Sequence, residues 1–183
     1  CYAQIEAQGA SATLQSDTPT QIDDGGVFLS QQGASAEFVL TNSKWGSSTL
    51  GTTGGTVTYS FIGDGVSLND EGTGTNVAIS SLPNSQACFI TDIQTAFAAW
   101  QAISNIKFVQ VADSGFPFNA LGAAGDIRIG AHAFDGVYGT LAHAYFPPPN
   151  GNSAAGDIHL DSAENWECNN TGTDIGVVAL HEI

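Results

Sequence analysis

One amphipathic segment flanked by short β-type segments constrains the fold of this chain most. Apolar residues recur at steps of three and four between Phe89 and Ile103, which predicts a helix with one apolar face. A second helix is predicted from Ile175, capped by Thr173 or Asp174. Short runs rich in β-branched and aromatic residues predict strands at 38–40, 56–62, 106–111, 126–129, 140–145 and 157–160. This alternation of strands and helices predicts an α/β fold with a mixed sheet.

The N-terminal part of the chain differs in composition from the rest. Residues 1–36 are rich in Ala, Gln, Ser, Thr and Gly and have little periodic apolar content, which indicates a leader or pro-segment. Residues 37–183 are then expected to form the folded part, with a length that suits one domain. Because the chain has no Met and begins at Cys1 without a signal segment, we expect a processed or trimmed chain. Cys1 is either a lipidated bacterial N-terminus or the product of a chance cut.

The chain is strongly acidic, with a formal net charge of −15 and only Lys44, Lys107 and Arg128 as strong bases. This balance argues against nucleic acids and anionic membranes as partners. No apolar run approaches the ~18 residues of a membrane-spanning helix. Bound divalent cations would relieve the repulsion between so many carboxylates. Solubility in a saline or secreted setting explains the same composition equally well.

The three cysteines allow one disulfide and one odd thiol. We expect Cys88 to pair with Cys168, because both flank predicted helices. Buried free thiols at these two positions are the alternative.

The segment from Asp126 to Trp166 contains three of the four histidines of the chain and five acidic residues. His132, His143 and His159 lie in or at the end of predicted strands, so neighbouring strands could bring their imidazoles together. Imidazoles with a carboxylate make a closed tetrahedral zinc site. Taken singly, each histidine is more often a packed or surface residue, but their clustering favours a metal.

The acidic residues of this segment are of the type that binds a hard cation such as calcium. Asp126 and Asp157 begin predicted strands beside Gly-rich loops that offer free backbone carbonyls, and Asp161 and Glu164 follow His159 closely. Carboxylates together with loop carbonyls are the ligands that calcium takes. Acidic residues are also common at strand ends and turns without an ion, so the spacing leaves both interpretations open.

The predicted second helix ends in His181 and Glu182. In the zinc-protease helix motif a histidine ligand is followed by a glutamate general base and, one turn later, by a second histidine ligand. The sequence ends at Ile183, before that position. We therefore expect His181 to be one of the usual three catalytic zinc ligands and the other two to be missing from this chain.

The motifs of residues 125–183 occur in a fixed order, namely GDIRIGAH from Gly125, FDG from Phe134, TLAHAY from Thr140, GDIHLD from Gly156, ENW from Glu164 and VALHE from Val178. Together they resemble the catalytic domain of the matrixins, the matrix-metalloproteinase branch of the metzincin zinc peptidases. The resemblance is looser over residues 38–111, and the Pro-rich run at 145–149 is most similar to bacterial matrixins. It implies a metzincin-like N-terminal subdomain with a twisted, mixed, mostly parallel sheet, a backing helix and the start of the active-site helix, without the C-terminal subdomain.

The resemblance also implies roles for individual residues. Three histidines would bind a structural zinc ion, five carboxylates would bind two calcium ions, and an edge strand would bind the substrate. One further histidine would bind the catalytic zinc ion, and one glutamate would be the general base. The structural zinc ion would be bound by His132, His143 and His159. One calcium ion would be bound by Asp135, Asp161 and Glu164, and the other by Asp126 and Asp157. The edge strand would contain Leu141 and Ala142, the catalytic zinc ligand would be His181, and the general base would be Glu182. The edge strand would pair with an extended peptide by strand addition.

Two features depart from the family pattern. The family has an Asp two residues after the first structural histidine and then a longer loop, whereas Phe134 holds that place here and the loop is short. Either the structural zinc lacks its carboxylate, or Asp135 supplies it and leaves the calcium site. The cysteine switch of the family pro-segment is also absent in recognisable form. The candidates for a residue that blocks the zinc, with no basis for choosing among them, are Cys1, Asp17, Asp23 and Asp24.

The sequence therefore predicts a secreted zinc metalloendopeptidase, with a lipid anchor at the cell surface as a variant, of which residues 1–183 are inactive alone. The alternative is a non-catalytic module, stabilised by calcium and zinc, whose edge strand binds extended peptides. Glu182 favours the enzyme, because a binding module needs no general base. If the His and Asp residues are instead ordinary strand-end residues, a chelator should leave thermal stability unchanged.

Overall fold

A computed structural model describes residues 43–47, 49, 51–148, 154–168 and 172–183, together with the backbone of residues 2–6. These residues belong to one compact unit formed by Cys1–Ala7 and Asn42–Ile183. The boundary predicted between residues 36 and 37 stays a prediction. Outside the described residues lie the predicted strand at 38–40 and the candidate blocking residues Cys1, Asp17, Asp23 and Asp24.

A six-stranded sheet forms the centre of this unit. Its strands are β1 (Tyr2–Glu6), β2 (Gly55–Phe61), β3 (Ile106–Gln110), β4 (Ile127–His132), β5 (Thr140–Tyr145) and β6 (Ile158–Asp161). They lie in the order β1-β5-β6-β4-β2-β3. The strands β3, β2, β4 and β6 are parallel, whereas β5 is antiparallel to β6 and β1 is antiparallel to β5. The predicted α/β fold with a mixed, mostly parallel sheet is confirmed.

Helix α1 (Cys88–Ile103) backs this sheet, as its apolar periodicity predicts. Phe89, Ile93 and Phe97 are buried. The Phe97 ring stacks on the ring of Tyr59 in β2, with centroids 4.2 Å apart. Each large apolar side chain removed from water stabilises the fold by roughly 1.5–3 kcal/mol, so this face fixes α1 against the sheet.

Helix α2 (Ile175–Glu182) begins where the sequence predicts. Asp174, and not Thr173, is its N-cap, because the Asp174 side chain accepts a hydrogen bond from a backbone N–H of the first turn at 2.9 Å. The indole N–H of Trp100 donates to the carbonyl oxygen of Leu180 at 2.9 Å. This hydrogen bond attaches the C-terminal end of α2 to α1.

The remaining elements are short. Two 3-10 turns, Asn69–Glu71 and Ile79–Ser81, lie between β2 and α1. The strands β7 (Trp166–Glu167) and β8 (Thr173–Asp174) pair in parallel. The sequence does not predict them, because two residues are too few to show alternation.

A disulfide joins the start of α1 to the residue after β7. It links Cys88 to Cys168, with Cα atoms 6.4 Å apart, and the predicted pairing of these cysteines is confirmed. The bridge connects residues 80 positions apart and so restricts the unfolded chain strongly. Neither helix among the described residues has the length and hydrophobicity needed to cross a membrane.

Candidate metal centre

Three neighbouring strands bring the predicted histidines to one point of the sheet. His143 in β5 is the direct partner of His159 in β6, and His159 is in turn the partner of Gly130 in β4. Side chains two residues apart on a strand point to the same face, so His132 joins the other two on that face. The structure therefore groups His132, His143 and His159, as the sequence predicts, and their binding of zinc stays a prediction.

The ring nitrogens are close enough to bind one ion. Nε2 of His143 and Nδ1 of His159 are 3.0 Å apart. One ligand atom from each of Glu71, His132, His143 and His159 lies within 4.8 Å of the others. Ligands of a tetrahedral zinc ion at 2.0–2.1 Å stand roughly 3.3 Å from one another, so small side-chain adjustments produce zinc geometry.

Glu71 is the member of this group that sequence reasoning missed. Its Oε2 lies 3.6 Å from Nε2 of His143 and 3.8 Å from Nδ1 of His159. It ends the turn Asn69–Glu71, far upstream of the histidine-rich segment. An acidic residue in a Gly- and Asn-rich turn is common, so neither spacing nor composition distinguishes Glu71 from its neighbours.

The surroundings of His132, His159 and Glu71 favour the protonation states that bind a metal. Burial, together with the neighbouring His143, holds the pKa of His159 well below its usual range. Burial also lowers the pKa of His132. Burial alone would raise the pKa of Glu71, but hydrogen bonds from three neighbouring side chains hold it below its usual range. Neutral imidazoles and an ionised carboxylate are the forms that bind zinc.

An unpaired nitrogen supports a metal at this point. His132 is 5% exposed, and its Nε2 has no hydrogen-bond partner among the described residues. A buried polar atom without a partner destabilises the folded protein. A zinc ion bound at Nε2 of His132 would remove that cost, so the residues present fit the metal.

Two further carboxylates are fully buried in the core. Asp161 and Glu164 are both 0% exposed. Oδ1 of Asp161 accepts hydrogen bonds from the backbone N–H groups of Phe134 and Ala163. Within the described residues, however, its Oδ2 and both carboxylate oxygens of Glu164 have no hydrogen-bond partner. A cation bound by these oxygens would offset their burial, and calcium prefers such ligands.

Asp135 lies apart from both clusters. Its carboxylate is exposed and accepts hydrogen bonds from the backbone N–H and the hydroxyl of Thr140, at 2.9 Å and 3.0 Å. Among the described residues, Asp135 does not join the histidine group, so the structure offers no support for Asp135 as the carboxylate of the zinc site. Nor does it join Asp161 and Glu164 in one group of ligand atoms within 4.8 Å.

The second predicted calcium pair flanks β4. The carboxylate of Asp126 accepts the backbone N–H and the hydroxyl of Thr58 in β2, each at 2.7 Å. Oδ1 of Asp157 accepts the backbone N–H of Arg128 at 2.7 Å, and burial raises the pKa of Asp157 to about 8. These hydrogen bonds direct the two carboxylates to different neighbours, so calcium at Asp126 and Asp157 stays a prediction.

His181 and Glu182 end α2 beside a cavity of about 190 Å³. The cavity lies between them and the segment that follows β5, and its lining includes Trp45, Tyr145, Phe146 and Pro147. Glu182 is 8% exposed, and within the described part of the chain neither of its carboxylate oxygens has a hydrogen-bond partner. Burial raises the pKa of Glu182 to about 7. A buried base therefore lies next to an exposed histidine at the edge of a cleft.

The strand predicted to bind substrate already has a partner. Leu141 and Ala142 lie in β5, and β1 pairs along its outer side with Ile5 opposite Ala142 and Tyr2 opposite Tyr145. The open edge predicted at β5 is thus occupied by residues 2–6 of the same chain. The pairing places an extended peptide segment antiparallel to the predicted substrate strand.

Comparison with known proteins identifies the family of this chain. The sequence profile of the matrixin family matches residues 76–183, more than half of the chain. The chain is similar to karilysin of Tannerella forsythia, with 43% identity over 99 aligned residues. This match covers 50% of this chain and 19% of the relative. It is also similar to macrophage metalloelastase of Rattus norvegicus, with 37% identity over 90 residues, 49% of this chain and 18% of the relative. A third similar protein is matrix metalloproteinase-16 of Homo sapiens, with 37% identity over 105 aligned residues. This match covers 50% of this chain and 16% of the relative.

The chain thus spans less than a fifth of the length of each of these curated relatives. The profile match nevertheless covers α1 and every element from β3 to α2, and with them the grouped histidines and the His181-Glu182 pair. The chain belongs to the matrixin family.

Proposed function

We propose that the protein is a zinc-dependent metalloendopeptidase that hydrolyses peptide bonds in proteins. Membership of the matrixin family supports this activity, and two of the similar proteins are named as a metalloelastase and a metalloproteinase. The observation that carries the proposal is the buried carboxylate of Glu182, which has no hydrogen-bond partner within the described part of the chain and lies beside His181 at a cleft. A module that only binds peptides needs no such base.

In the proposed mechanism His181 is one ligand of the catalytic zinc ion. Two more ligands are needed, because within the described residues His181 belongs to no group of three metal-ligating side chains. A zinc ion held by His181 and two further ligands would supply a Lewis acid for the scissile carbonyl and for the attacking water molecule. Glu182 accepts a proton from that water and donates it to the leaving amine. We accordingly expect no hydrolysis by residues 1–183 alone.

The substrate is proposed to be a protein or peptide in extended form. The β1–β5 pairing supports this, because it demonstrates that the outer side of β5 accepts an antiparallel strand. A substrate would replace β1 and take up the backbone hydrogen bonds of Leu141 and Ala142 in its place. Residues 2–6 therefore have to leave β5 before a substrate binds there.

The remaining ions are proposed to be structural. Zinc would be bound by His132, His143 and His159. Calcium would be bound by backbone carbonyls and by Oδ2 of Asp161 and the carboxylate of Glu164, whose oxygens have no hydrogen-bond partner in the part of the chain that the structure describes. Asp135, and the pair of Asp126 and Asp157, remain predicted calcium ligands with other hydrogen-bond partners in the structure.

We propose that the protein acts outside the cell. The disulfide between Cys88 and Cys168 supports this location, because structural disulfides persist in oxidising compartments. Attachment to the cell surface through a lipid on Cys1 remains a prediction.

Peptide cleavage by the full-length protein tests the proposed activity. Glu182→Gln keeps the shape of the side chain and removes the base, so we expect kcat to fall by about 10²–10⁴-fold with zinc content unchanged. Glu167→Gln, which alters a carboxylate of β7 outside the cleft, is the matched control and should retain wild-type kcat. Cleavage that survives Glu182→Gln, or that a chelator does not abolish, would refute the mechanism.

The β1–β5 pairing also favours the alternative of a non-catalytic module that binds extended peptides. That module would bind a peptide library equally well with Glu182 or Gln at this position and would leave every peptide intact. The enzyme would release new N-termini, which sequencing of the products detects.

A further inference from the structure

An aromatic ring occupies the place where the family pattern has a carboxylate. Phe134 follows His132 by two residues and lies edge-on to it, with ring centroids 4.5 Å apart. The same ring stacks on His143 at 4.8 Å. Phe134 shields the imidazoles from water but has no atom that binds zinc. A closed tetrahedral site built on the three histidines therefore needs its fourth ligand from another segment.

Glu71 is positioned as that ligand by two hydrogen-bond donors. The side-chain amide of Asn119 donates to Oε1 of Glu71 at 3.1 Å, and the hydroxyl of Tyr145 donates to the same oxygen. Because these donors engage Oε1, the other oxygen, Oε2, is the one near the imidazoles of His143 and His159. Outer donors of this kind orient a metal-binding carboxylate and increase its affinity for the metal.

The loop that carries Glu71 is attached to β4 beside His132. The buried side chain of Asn76 donates to the carbonyl oxygens of Ile62 and Gly63, at 3.0 Å and 2.9 Å, and accepts the backbone N–H of Ala131 at 2.8 Å. Val77 also pairs with Ala131 through a β-bridge. The backbone on the C-terminal side of Glu71 is thus held one residue from His132, so the position of Glu71 is set by the fold.

The ring of Phe118 connects the loop that carries Glu71 to His159 as well. It packs on His159 with centroids 4.4 Å apart, and its backbone N–H donates to the carbonyl oxygen of Ser67 at 2.9 Å. The segment that contains Asn119 is therefore fixed to the Glu71 loop and to the histidine group together. The segment that orients Glu71 thus packs together with the Glu71 loop and the histidines.

We propose that Glu71 is the fourth ligand of the structural zinc ion, so that the loop after β2 supplies the carboxylate that is absent two residues after His132. This inference rests on the structural zinc of the proposed function. It assigns the site three imidazoles and one carboxylate, with Asn119 and Tyr145 as the residues that position the carboxylate.

Diffraction from wild-type crystals grown with zinc gives the direct test. Anomalous scattering at the zinc edge should place an ion about 2.0–2.2 Å from a carboxylate oxygen of Glu71 and from one nitrogen of each histidine. An ion on the histidines with water or Asp135 in the fourth position would overturn the assignment. This measurement needs no variant and decides the question even if variants of Glu71 fail to fold.

Zinc affinity gives an independent test in solution. In a His181→Ala background, which removes the catalytic zinc ligand, we expect Glu71→Gln to weaken zinc binding about 100-fold in competition with a chelator. Glu167→Gln alters a carboxylate of β7 that belongs to no metal-ligating group among the described residues, and it should leave the affinity within about two-fold of the parent. Cobalt in place of zinc should show tetrahedral absorption bands in the parent, and the position and intensity of these bands should change in Glu71→Gln because one ligand is exchanged.

The outcomes separate this inference from the proposed function. If the His181→Ala parent binds no zinc, the structural site itself is refuted, and Glu71 with it. If the parent binds zinc and Glu71→Gln binds it equally well, the structural site stands and only the role of Glu71 is refuted.

Discussion

At the residue scale, one buried ion pair anchors the segment before β4. Arg128 is 2% exposed, and its Nε and Nη2 donate to the two carboxylate oxygens of Asp113, each at 2.9 Å. The guanidinium also donates to the carbonyl oxygens of Phe116 and Pro117. The pair therefore joins the 113–117 segment to the strand that ends in His132.

Breaking this pair should destabilise the fold in a pH-dependent way. Burial alone would raise the pKa of Asp113, but hydrogen bonds from Arg128, Gly115 and Ser60 hold it below the usual range. A lowered pKa in the folded state stabilises the protein above the unfolded pKa of about 3.9, and this stabilisation is lost as the pH falls through the folded value. Asp113→Asn should therefore reduce the free energy of unfolding by about 3 kcal/mol at pH 7, and by less under acid conditions.

Denaturant unfolding of wild type and Asp113→Asn between pH 7 and pH 3 measures this difference. Asp92→Asn, on α1, serves as the control and should shift the midpoint little at either pH. A difference between wild type and Asp113→Asn that stays constant down to pH 3 would contradict the assignment of the lowered pKa to this pair.

Single residues differ in how far the sequence identifies them. The grouping of His132, His143 and His159 follows from their positions in predicted strands, and the structure brings them together. Glu71 has no such pattern, because a distant loop delivers it and only the packed fold defines which acidic residue arrives. The choice between Asp174 and Thr173 as the cap of α2 also depended on geometry that the sequence leaves open.

At the element scale, β4 is the strand on which the site depends. It borders β2 on one side and β6 on the other, ends in His132 and receives Asn76 through Ala131. Gly130 permits this close approach, since a Cβ there would stand 2.4 Å from Oδ1 of Asn76 and 2.9 Å from the Phe118 ring. The absence of a side chain at Gly130 thus lets the Glu71 loop pack against the sheet.

Gly130→Ala should therefore separate the loop from the sheet. We expect it to destabilise the protein by about 1–3 kcal/mol through overpacking, and to weaken zinc binding because Asn76 and Phe118 move. Thermal unfolding and zinc competition measure the two effects. Gly63→Ala is the matched control, because a Cβ at Gly63 meets nothing within 4 Å. Equal behaviour of the two variants would contradict the role of Gly130.

The elements were predictable where their patterns are long. The apolar repeat of α1 and the β-branched runs of β2 and β3 define their structure locally. The two-residue strands β7 and β8 give no periodic signal. Strand β1 lies in a segment whose composition predicts a leader, and only its pairing with β5 makes it a strand.

At the scale of the whole molecule, negative charge and buried carboxylates point to metal-dependent stability. The chain has a formal net charge of −15, and Asp157, Asp161, Glu164 and Glu182 are all buried. Within the described residues, three of these four have carboxylate oxygens without a hydrogen-bond partner, namely Asp161, Glu164 and Glu182. The acidic composition alone left solubility and cation binding as equal explanations. The buried oxygens of Asp161 and Glu164 that have no hydrogen-bond partner among the described residues favour cation binding.

The most direct test of this account is thermal unfolding of the purified chain before and after chelation. Ions bound at about 1,000 times their Kd stabilise a folded protein by about 4 kcal/mol, which corresponds to roughly 8–16 °C in Tm at this size. We predict a fall of this order with a chelator, partial recovery with zinc, and full recovery with zinc and calcium together. A Tm that a chelator leaves unchanged would contradict the metal-bound matrixin domain proposed for this chain.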